Sequence, residues 1–169
     1  MAAQFLLLIV LPCLLAAAAA WDLASFTIPN YLSLALAATF VVFALALRLS
    51  PGSLGLHLLA GFIALIIGFT MFARGYIGGG DAKFFACMAM WLGPHDLLSY
   101  TLIATILGGF LTLTLLGLRQ LPLPVGLARQ SWILKLHDSA SGIPYGVALA
   151  AGAFVVLPHA EILHLAAIS

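Results

Sequence analysis

Long apolar runs separated by short polar breaks dominate the pattern along the chain. The runs cover about 4–20, 31–48, 55–73, 82–93, 98–118 and 144–165. A helix of about 20 mainly apolar residues can cross the roughly 30 Å hydrocarbon core of a bilayer. The pattern therefore predicts an all-α, polytopic membrane protein with about six transmembrane helices. Because these spans use most of the chain, we expect one membrane-embedded domain over residues 1–169.

Composition agrees with this interpretation and excludes several classes of protein. Hydrophobic residues make up 64% of the chain and charged residues only 7%, whereas roughly a quarter of the residues in a soluble domain are charged. A soluble enzyme, a disordered chain and a nucleic-acid binder acting through a basic field are all excluded. A cleaved signal peptide is disfavoured because no Lys or Arg precedes Arg48.

The basic residues indicate which helix ends face the cytoplasm. With the N-terminus outside, five of the six basic residues fall in cytoplasmic breaks, namely Arg74, Lys83, Arg119, Arg129 and Lys135, and only Arg48 lies outside. This bias follows the positive-inside rule and predicts that both termini are extracytoplasmic. The stretch from Arg129 to His137 is expected to lie at headgroup level, with Trp132 as its anchor.

Two acidic residues fall at cytoplasmic ends of apolar helices in this topology. Asp22 follows the first span and Asp81 precedes the fourth, whereas Asp96, Asp138 and Glu161 lie elsewhere. The fourth span is short, roughly 17 Å of helix, which would set Asp81 below the membrane surface. Two neighbouring carboxyls can form an acid–base pair, in which one activates water and the other polarises a carbonyl.

Position alone leaves other roles open for these carboxyls. Asp22 could be a juxtamembrane residue or a helix N-cap, and Asp81 could be the N-cap of its own helix. A small proton-coupled transporter could use both as a proton relay. A transporter would be expected to show internal repeats and polar residues at mid-membrane. The sequence shows no evident repeat, and its polar residues crowd one end of the spans while the middles are bare, which favours a peptidase.

A run of three glycines, Gly78, Gly79 and Gly80, directly precedes Asp81. Glycines at a helix start give up backbone entropy, and the usual reason is close approach of another backbone or a positive φ. Irregular backbone at membrane depth is tolerated where it lines a cavity or is buried in protein. The run therefore predicts a place where an extended peptide can lie beside Asp81, with a plain helix-breaking turn as the alternative.

Three elements in order resemble the type IV prepilin peptidase family. The segment Gly78-Gly79-Gly80-Asp81-Ala82-Lys83 is similar to its GxGD motif, and Asp22 with Ile28-Pro29-Asn30 is similar to its first aspartate element. Ile143-Pro144-Tyr145-Gly146 resembles its C-terminal element. The resemblance covers about residues 5–155. The compact form is most similar to the short peptidases of tight-adherence (Flp-type) pilus systems.

The resemblance implies an aspartic endopeptidase of the bacterial inner membrane. Its partners would be membrane lipid and prepilin or pseudopilin substrates, cut at the cytoplasmic face after a short leader. Asp22 and Asp81 carry over as the catalytic pair. Site-shaping or substrate-binding roles would fall to Gly78, Gly79, Gly80, Lys83, Pro29, Asn30, Pro144 and Gly146.

Long members of the family also N-methylate the mature pilin and carry a cytoplasmic domain with paired CxxC motifs after the first span. The corresponding break here, Trp21–Asn30, contains no cysteine. We therefore expect no methyltransferase activity, no metal and no cofactor. A non-catalytic scaffold for pilus assembly is a further alternative, but it would not explain two carboxyls at one site.

Overall fold

The computed structural model describes residues 6–124 and 126–163, and every regular element in these residues is helical. After a π-helical turn at Leu6–Val10, the helices are α1 at Leu11–Ser25, α2 at Asn30–Ala46, α3 at Pro51–Ala73 and α4 at Gly79–Leu118. A 3-10 turn at Leu127–Arg129 precedes the short α5 at Ser131–His137. The last helix is α6 at Tyr145–Val156, which continues into a 3-10 turn at Leu157–His159.

The helices have the length and apolar composition of a membrane protein. In the described part of the chain, three are long and apolar enough to cross a bilayer, namely Leu7–Ser25, Pro51–Ala73 and Gly79–Leu118. Asn30–Ala46 and Tyr145–His159 are shorter apolar helices. The all-helical prediction is thus confirmed, whereas the number of spans and the side on which the termini lie stay predictions.

Helix α4 is a hairpin with two arms, residues 79–92 and 94–118. Gly93 between them has φ 68° and ψ −178°, and Pro94 follows. The rings of Phe85 and Tyr100 stack with their centroids 5.7 Å apart, whereas a straight helix would separate them by roughly 22 Å. The chain therefore turns back at Gly93. The sequence predicts a break over residues 93–97, but only Gly93 itself leaves the helical conformation.

Several helix boundaries differ from the prediction: α3 begins at Pro51 and not at 55, and α4 begins at Gly79 and not at 82. Helix α1 continues to Ser25, so Asp22 lies in its last turn and not in the polar break after it. The final run, predicted as one helix over 144–165, is interrupted. It is α-helical over Tyr145–Val156, tightens to 3-10 where Pro158 interrupts the hydrogen-bond pattern, and is helical again at 161–163. Residues 4, 5, 164 and 165 of the predicted runs lie outside the described residues.

The core lies where α1, α2, α6 and the two arms of α4 meet. Trp91 is fully buried, donates its Nε1–H to the carbonyl of Leu36 at 2.9 Å, and packs edge-on against Phe40. Tyr100 is also buried and donates its hydroxyl to the carbonyl of Leu149 at 3.3 Å. These buried polar groups have partners, so they hold both arms of α4 in one orientation against α2 and α6.

At the end of the bundle that carries the α4 turn, the carboxylate of Asp96 contacts the backbone of Glu161. One carboxylate oxygen of Asp96 lies 2.9 Å from Nδ1 of His95, and the other accepts the backbone N–H of Glu161 at 2.8 Å. The sequence assigns Asp96 and Glu161 to the same side of the membrane, and in the fold they are in contact. This contact ties the turn of α4 to the segment after α6.

Candidate active site

A cavity of about 1040 Å³ opens at the opposite end of the bundle, away from the α4 turn. Its walls come from the end of α1, the loops that precede α2 and α4, the far ends of both α4 arms and the segment before α6. The lining residues are Asp22, Phe26, Thr27, Ile28, Gly75, Tyr76, Ile77, Gly78, Gly79, Gly80, Asp81, Lys83, Thr112, Arg119, Ser141, Gly142, Ile143 and Tyr145.

The carboxylates of Asp22 and Asp81 both line this cavity. Asp22 lies in the last turn of α1 and is only 3% exposed, and Asp81 lies in the first turn of α4 and is half-buried. Helices α2 and α3 separate the two residues along the chain. Only tertiary packing can bring the end of α1 to the beginning of α4, so the pair is a property of the whole bundle.

Asp22 caps a helix far away in the sequence. Its Oδ2 accepts the backbone N–H of Gly146 at 2.7 Å, next to Pro144 at the N-cap of α6. The first N–H groups of a helix have no partner within the helix, so the carboxylate supplies one. Asp22 therefore does cap a helix, which is one of the alternatives that the sequence leaves open, and the helix that it caps is α6.

Ile28 connects the surroundings of the two carboxylates. A Cβ added at Gly146 would lie 2.7 Å from Cδ1 of Ile28 and 2.8 Å from Oδ2 of Asp22. A Cβ added at Gly80 would lie 3.0 Å from the backbone nitrogen of Ile28. Ile28 is 5% exposed. One buried residue thus packs against the glycine that binds Asp22 and against the glycine that precedes Asp81.

Each of the three consecutive glycines has its own surroundings. Gly78 is the N-cap of α4 with φ −70°, so Asp81 is not the N-cap that one sequence interpretation suggested. A Cβ added at Gly78 would lie 2.9 Å from Oδ2 of Asp81. A Cβ added at Gly79 would lie 3.2 Å from the ring of Phe72. Close backbone approach occurs at Gly80. The positive-φ explanation is wrong for this run, because Gly78 has a negative φ and the other two residues are helical.

The remaining predicted residues surround the cavity. Lys83 lines it, and its Nζ donates to Oδ1 of Asn30 at 2.7 Å. Pro29 is the N-cap of α2, and Pro144 is the N-cap of α6. Asn30, Pro29, Pro144 and Gly146 therefore position the wall residues without lining the cavity themselves.

The sequence prediction missed one wall of the cavity. Arg119, at the end of α4, donates from Nε to the carbonyl of Leu136 and from Nη2 to that of Gly142, both at 2.8 Å. Gly142 and Ser141 line the cavity beside Arg119. The sequence does mark Arg119, because a cation ends a long apolar run there, but this pattern indicates only which helix end faces the cytoplasm.

The segment with residues 127–143, called the strap here, is tied to the cavity end of the bundle. Lys135 in α5 donates its Nζ to the carbonyl of Ser25 at 2.8 Å and lies 4.9 Å from the ring centroid of Phe26. Both partners follow Asp22 closely in the chain. The stretch that was predicted to lie at headgroup level is therefore attached next to the carboxylates.

Residues 9–113 match the type IV leader peptidase family. The chain belongs to this family. Membership in this family supports a leader peptidase activity in general. Together with the apolar helices, it indicates a membrane protease. No curated protein and no solved structure matches the chain.

The family match covers only part of the cavity of this leader peptidase. Both carboxylates, the three glycines and Lys83 lie within residues 9–113. Arg119, the strap and the start of α6 lie beyond it. Across the described residues, no group of three or more His, Cys, Asp or Glu side chains has metal-binding geometry. The polar side chains that line the cavity are two carboxyls, two cations and the hydroxyl groups of serine, threonine and tyrosine residues.

Proposed function

We propose that this leader peptidase is an aspartic endopeptidase that removes the leader of prepilins or pseudopilins. Asp22 and Asp81 form its catalytic pair, and cleavage takes place at the cytoplasmic face of a bacterial inner membrane. The observation that carries the proposal is that both carboxylates line one cavity in a member of a leader peptidase family. The compact chain corresponds to the Flp-type branch of such peptidases.

The two carboxyls divide the chemistry of peptide-bond hydrolysis between them. One, ionised, takes a proton from water as the water oxygen attacks the scissile carbonyl carbon, and the other, protonated, donates a hydrogen bond to the carbonyl oxygen. The carbon–nitrogen bond then breaks, and the departing nitrogen receives the proton that the first carboxylate had taken. The products are a carboxylic acid and an amine.

The size of the cavity is sufficient for a peptide segment. Its volume of about 1040 Å³ lies at the upper end of the range for ligand sites. Tyr76 in its wall is 72% exposed, so a chain can enter on that side. The missing side chain at Gly78, where an added Cβ would lie 2.9 Å from Oδ2 of Asp81, lets a substrate backbone lie next to this carboxyl.

Cleavage of a co-expressed prepilin tests the catalytic pair. We expect Asp22→Asn and Asp81→Asn each to reduce the cleavage rate by about 100-fold or more, because each removes an acid–base group. Glu161→Gln, at the other end of the bundle, is the matched control and should cleave like wild type. Normal cleavage by either aspartate variant would disprove the catalytic pair. A wild-type protein that cleaves no prepilin would favour the transporter.

The first residue of the mature pilin tests the absence of methyltransferase activity. We propose that this peptidase only cleaves, because the break between α1 and α2 is a short loop that contains no cysteine. Mass spectrometry of pilin cleaved in cells that contain this enzyme alone should show an unmethylated N-terminal amine. A methylated amine would contradict this part of the proposal.

A further inference from the structure

Gly108, in the second arm of α4, provides a notch for the ring of Tyr145. A Cβ added at Gly108 would lie 2.3 Å from Cε2, Cζ and Oη of Tyr145, far closer than real atoms approach. The neighbouring residue Gly109 has nothing within 4 Å of an added Cβ. The two adjacent glycines therefore differ sharply: Gly108 is in contact with the start of α6, and Gly109 is open.

A small movement of Tyr145 would be transmitted to Asp22 through the neighbouring residue Gly146. It is the first residue of α6 and lies between Pro144 at the N-cap and Gly146, whose N–H donates to Oδ2 of Asp22 at 2.7 Å. Gly146 has little freedom, because Asp22 and Ile28 already occupy the space where a Cβ would be. A shift of the Tyr145 backbone must therefore move the donor that holds the carboxylate.

We propose that Tyr145 is a positioning residue of the peptidase. Its ring, seated in the notch at Gly108, fixes the start of α6 and thereby directs the Gly146 N–H at Asp22. This inference rests on the proposed catalytic role of Asp22. The ring supplies the effect by filling the notch, so the aromatic side chain matters more than its hydroxyl group. Misplacement of a catalytic group by about 1 Å can cost roughly 100-fold in rate.

Adjacent glycine variants test the notch with a matched control. We expect Gly108→Ala to lower kcat for prepilin cleavage by about tenfold or more, since the added methyl group displaces the ring and misdirects the carboxylate. KM should change less than kcat, because Tyr145 is only one of the residues that line the cavity. Gly109→Ala should stay within about twofold of wild type. Both substitutions are made in one helix and differ only in whether the added methyl group meets Tyr145.

Variants of Tyr145 separate positioning from folding. Tyr145→Ala should lower kcat about as much as Gly108→Ala does, and Tyr145→Phe should recover most of that loss. The double variant Gly108→Ala/Tyr145→Ala has room for the added methyl group, so it should fold and resemble Tyr145→Ala alone. Wild-type kcat in the double variant would overturn the proposal, because the ring would then be dispensable.

A second measurement does not depend on activity. Fluorotyrosine labels the four tyrosines, and Tyr145→Phe identifies the fluorine resonance that belongs to residue 145. Gly108→Ala should shift this resonance and Gly109→Ala should not. An unshifted resonance in Gly108→Ala would show that the ring is not in the notch. A shifted resonance with normal kcat would show that the ring lies in the notch but does not position Asp22, which also overturns the proposal.

Asp22→Asn in the same cleavage assay separates this inference from the proposed function. If Asp22→Asn is inactive while Gly108→Ala matches Gly109→Ala in kcat, the positioning role alone fails. If Asp22→Asn cleaves normally, the catalytic role of Asp22 fails, and the positioning role fails with it.

Discussion

Gly146 and Gly80 show how single positions control the distance between side chains that are remote in sequence. At Gly146 an added methyl group would meet Oδ2 of Asp22 and Cδ1 of Ile28, and at Gly80 it would meet the backbone of Ile28. Both positions have ordinary φ angles, so their glycines serve close packing and not an unusual backbone. The missing side chain at each glycine lets Ile28 pack closely against both the glycine that binds Asp22 and the glycine that precedes Asp81.

Gly146→Ala should be among the most damaging single changes for activity. The added methyl group must displace Asp22 or Ile28, so we expect kcat/KM for prepilin cleavage to fall by roughly 100-fold. The control is Gly117→Ala, where an added Cβ has nothing within 4 Å. Gly146→Ala with wild-type kcat/KM would show that Asp22 tolerates displacement of its partner.

Helix α4 depends on one residue for its hairpin. Gly93 has φ 68° with ψ −178°, a conformation that is open almost only to glycine. An added Cβ would also lie 2.8 Å from Cε1 of His57, whose Nδ1 donates to the carbonyl of Met90 at 2.9 Å. The turn thus combines a special backbone conformation with a tight contact to α3.

Gly93→Ala should lower stability more than activity. Forcing a side chain into this conformation costs about 1–3 kcal/mol, and the contact with His57 adds to the cost. Thermal unfolding in detergent should show a clearly lower Tm than for wild type. Gly109→Ala in the same helix is the control, and an equal Tm for both variants would contradict the steric argument.

The strap is held by a small number of polar contacts. Arg119→Gln removes the hydrogen bonds from Nε to Leu136 and from Nη2 to Gly142. We expect backbone amides of residues 131–142 to exchange with deuterium faster in this variant, because local opening then breaks fewer bonds. Arg129→Gln is the control, since the Arg129 side chain donates no hydrogen bond within the described residues. Equal exchange in both variants would show that Arg119 does not hold the strap.

Sequence patterns predicted the elements better than their contacts. The apolar runs, the glycine-proline break in α4 and the placement of Asp96 with Glu161 follow from hydropathy and charge along the chain. Hydropathy ends the first span at about residue 20, before the polar break that contains Asp22, whereas the helical backbone continues to Ser25. The contacts of Asp22 with Gly146 and of Ile28 with two glycines arise only when distant helices pack, so no local pattern predicts them.

At the scale of the whole molecule, the bundle has two chemically different ends. One end holds the cavity with both carboxylates, Lys83 and Arg119. The other end holds the α4 turn and the contact between Asp96 and the backbone of Glu161. The first arm of α4 covers roughly 21 Å between them, less than the roughly 30 Å of a hydrocarbon core. A locally thin or water-filled region at the cavity would account for the difference.

Reporter fusions test how the two ends lie in the membrane. We expect a fusion after residue 75, at the cavity, to report the cytoplasm, and a fusion after residue 96, beyond the α4 turn, to report the opposite side. The reason is the concentration of Lys and Arg near the cavity end. Reports from the same side would contradict the predicted topology, and an extracytoplasmic report after residue 75 would place the carboxylates in a different compartment from prepilin leaders.

The double contact of Ile28 has a consequence for how this protein can diverge. A larger side chain at position 28 would press on both glycine neighbours at once, and a smaller one would loosen both halves of the cavity together. The residues that are tolerated at positions 28, 80 and 146 should therefore depend on one another. In a library that randomises all three, active clones should be enriched for particular combinations and not for independent preferences at each position.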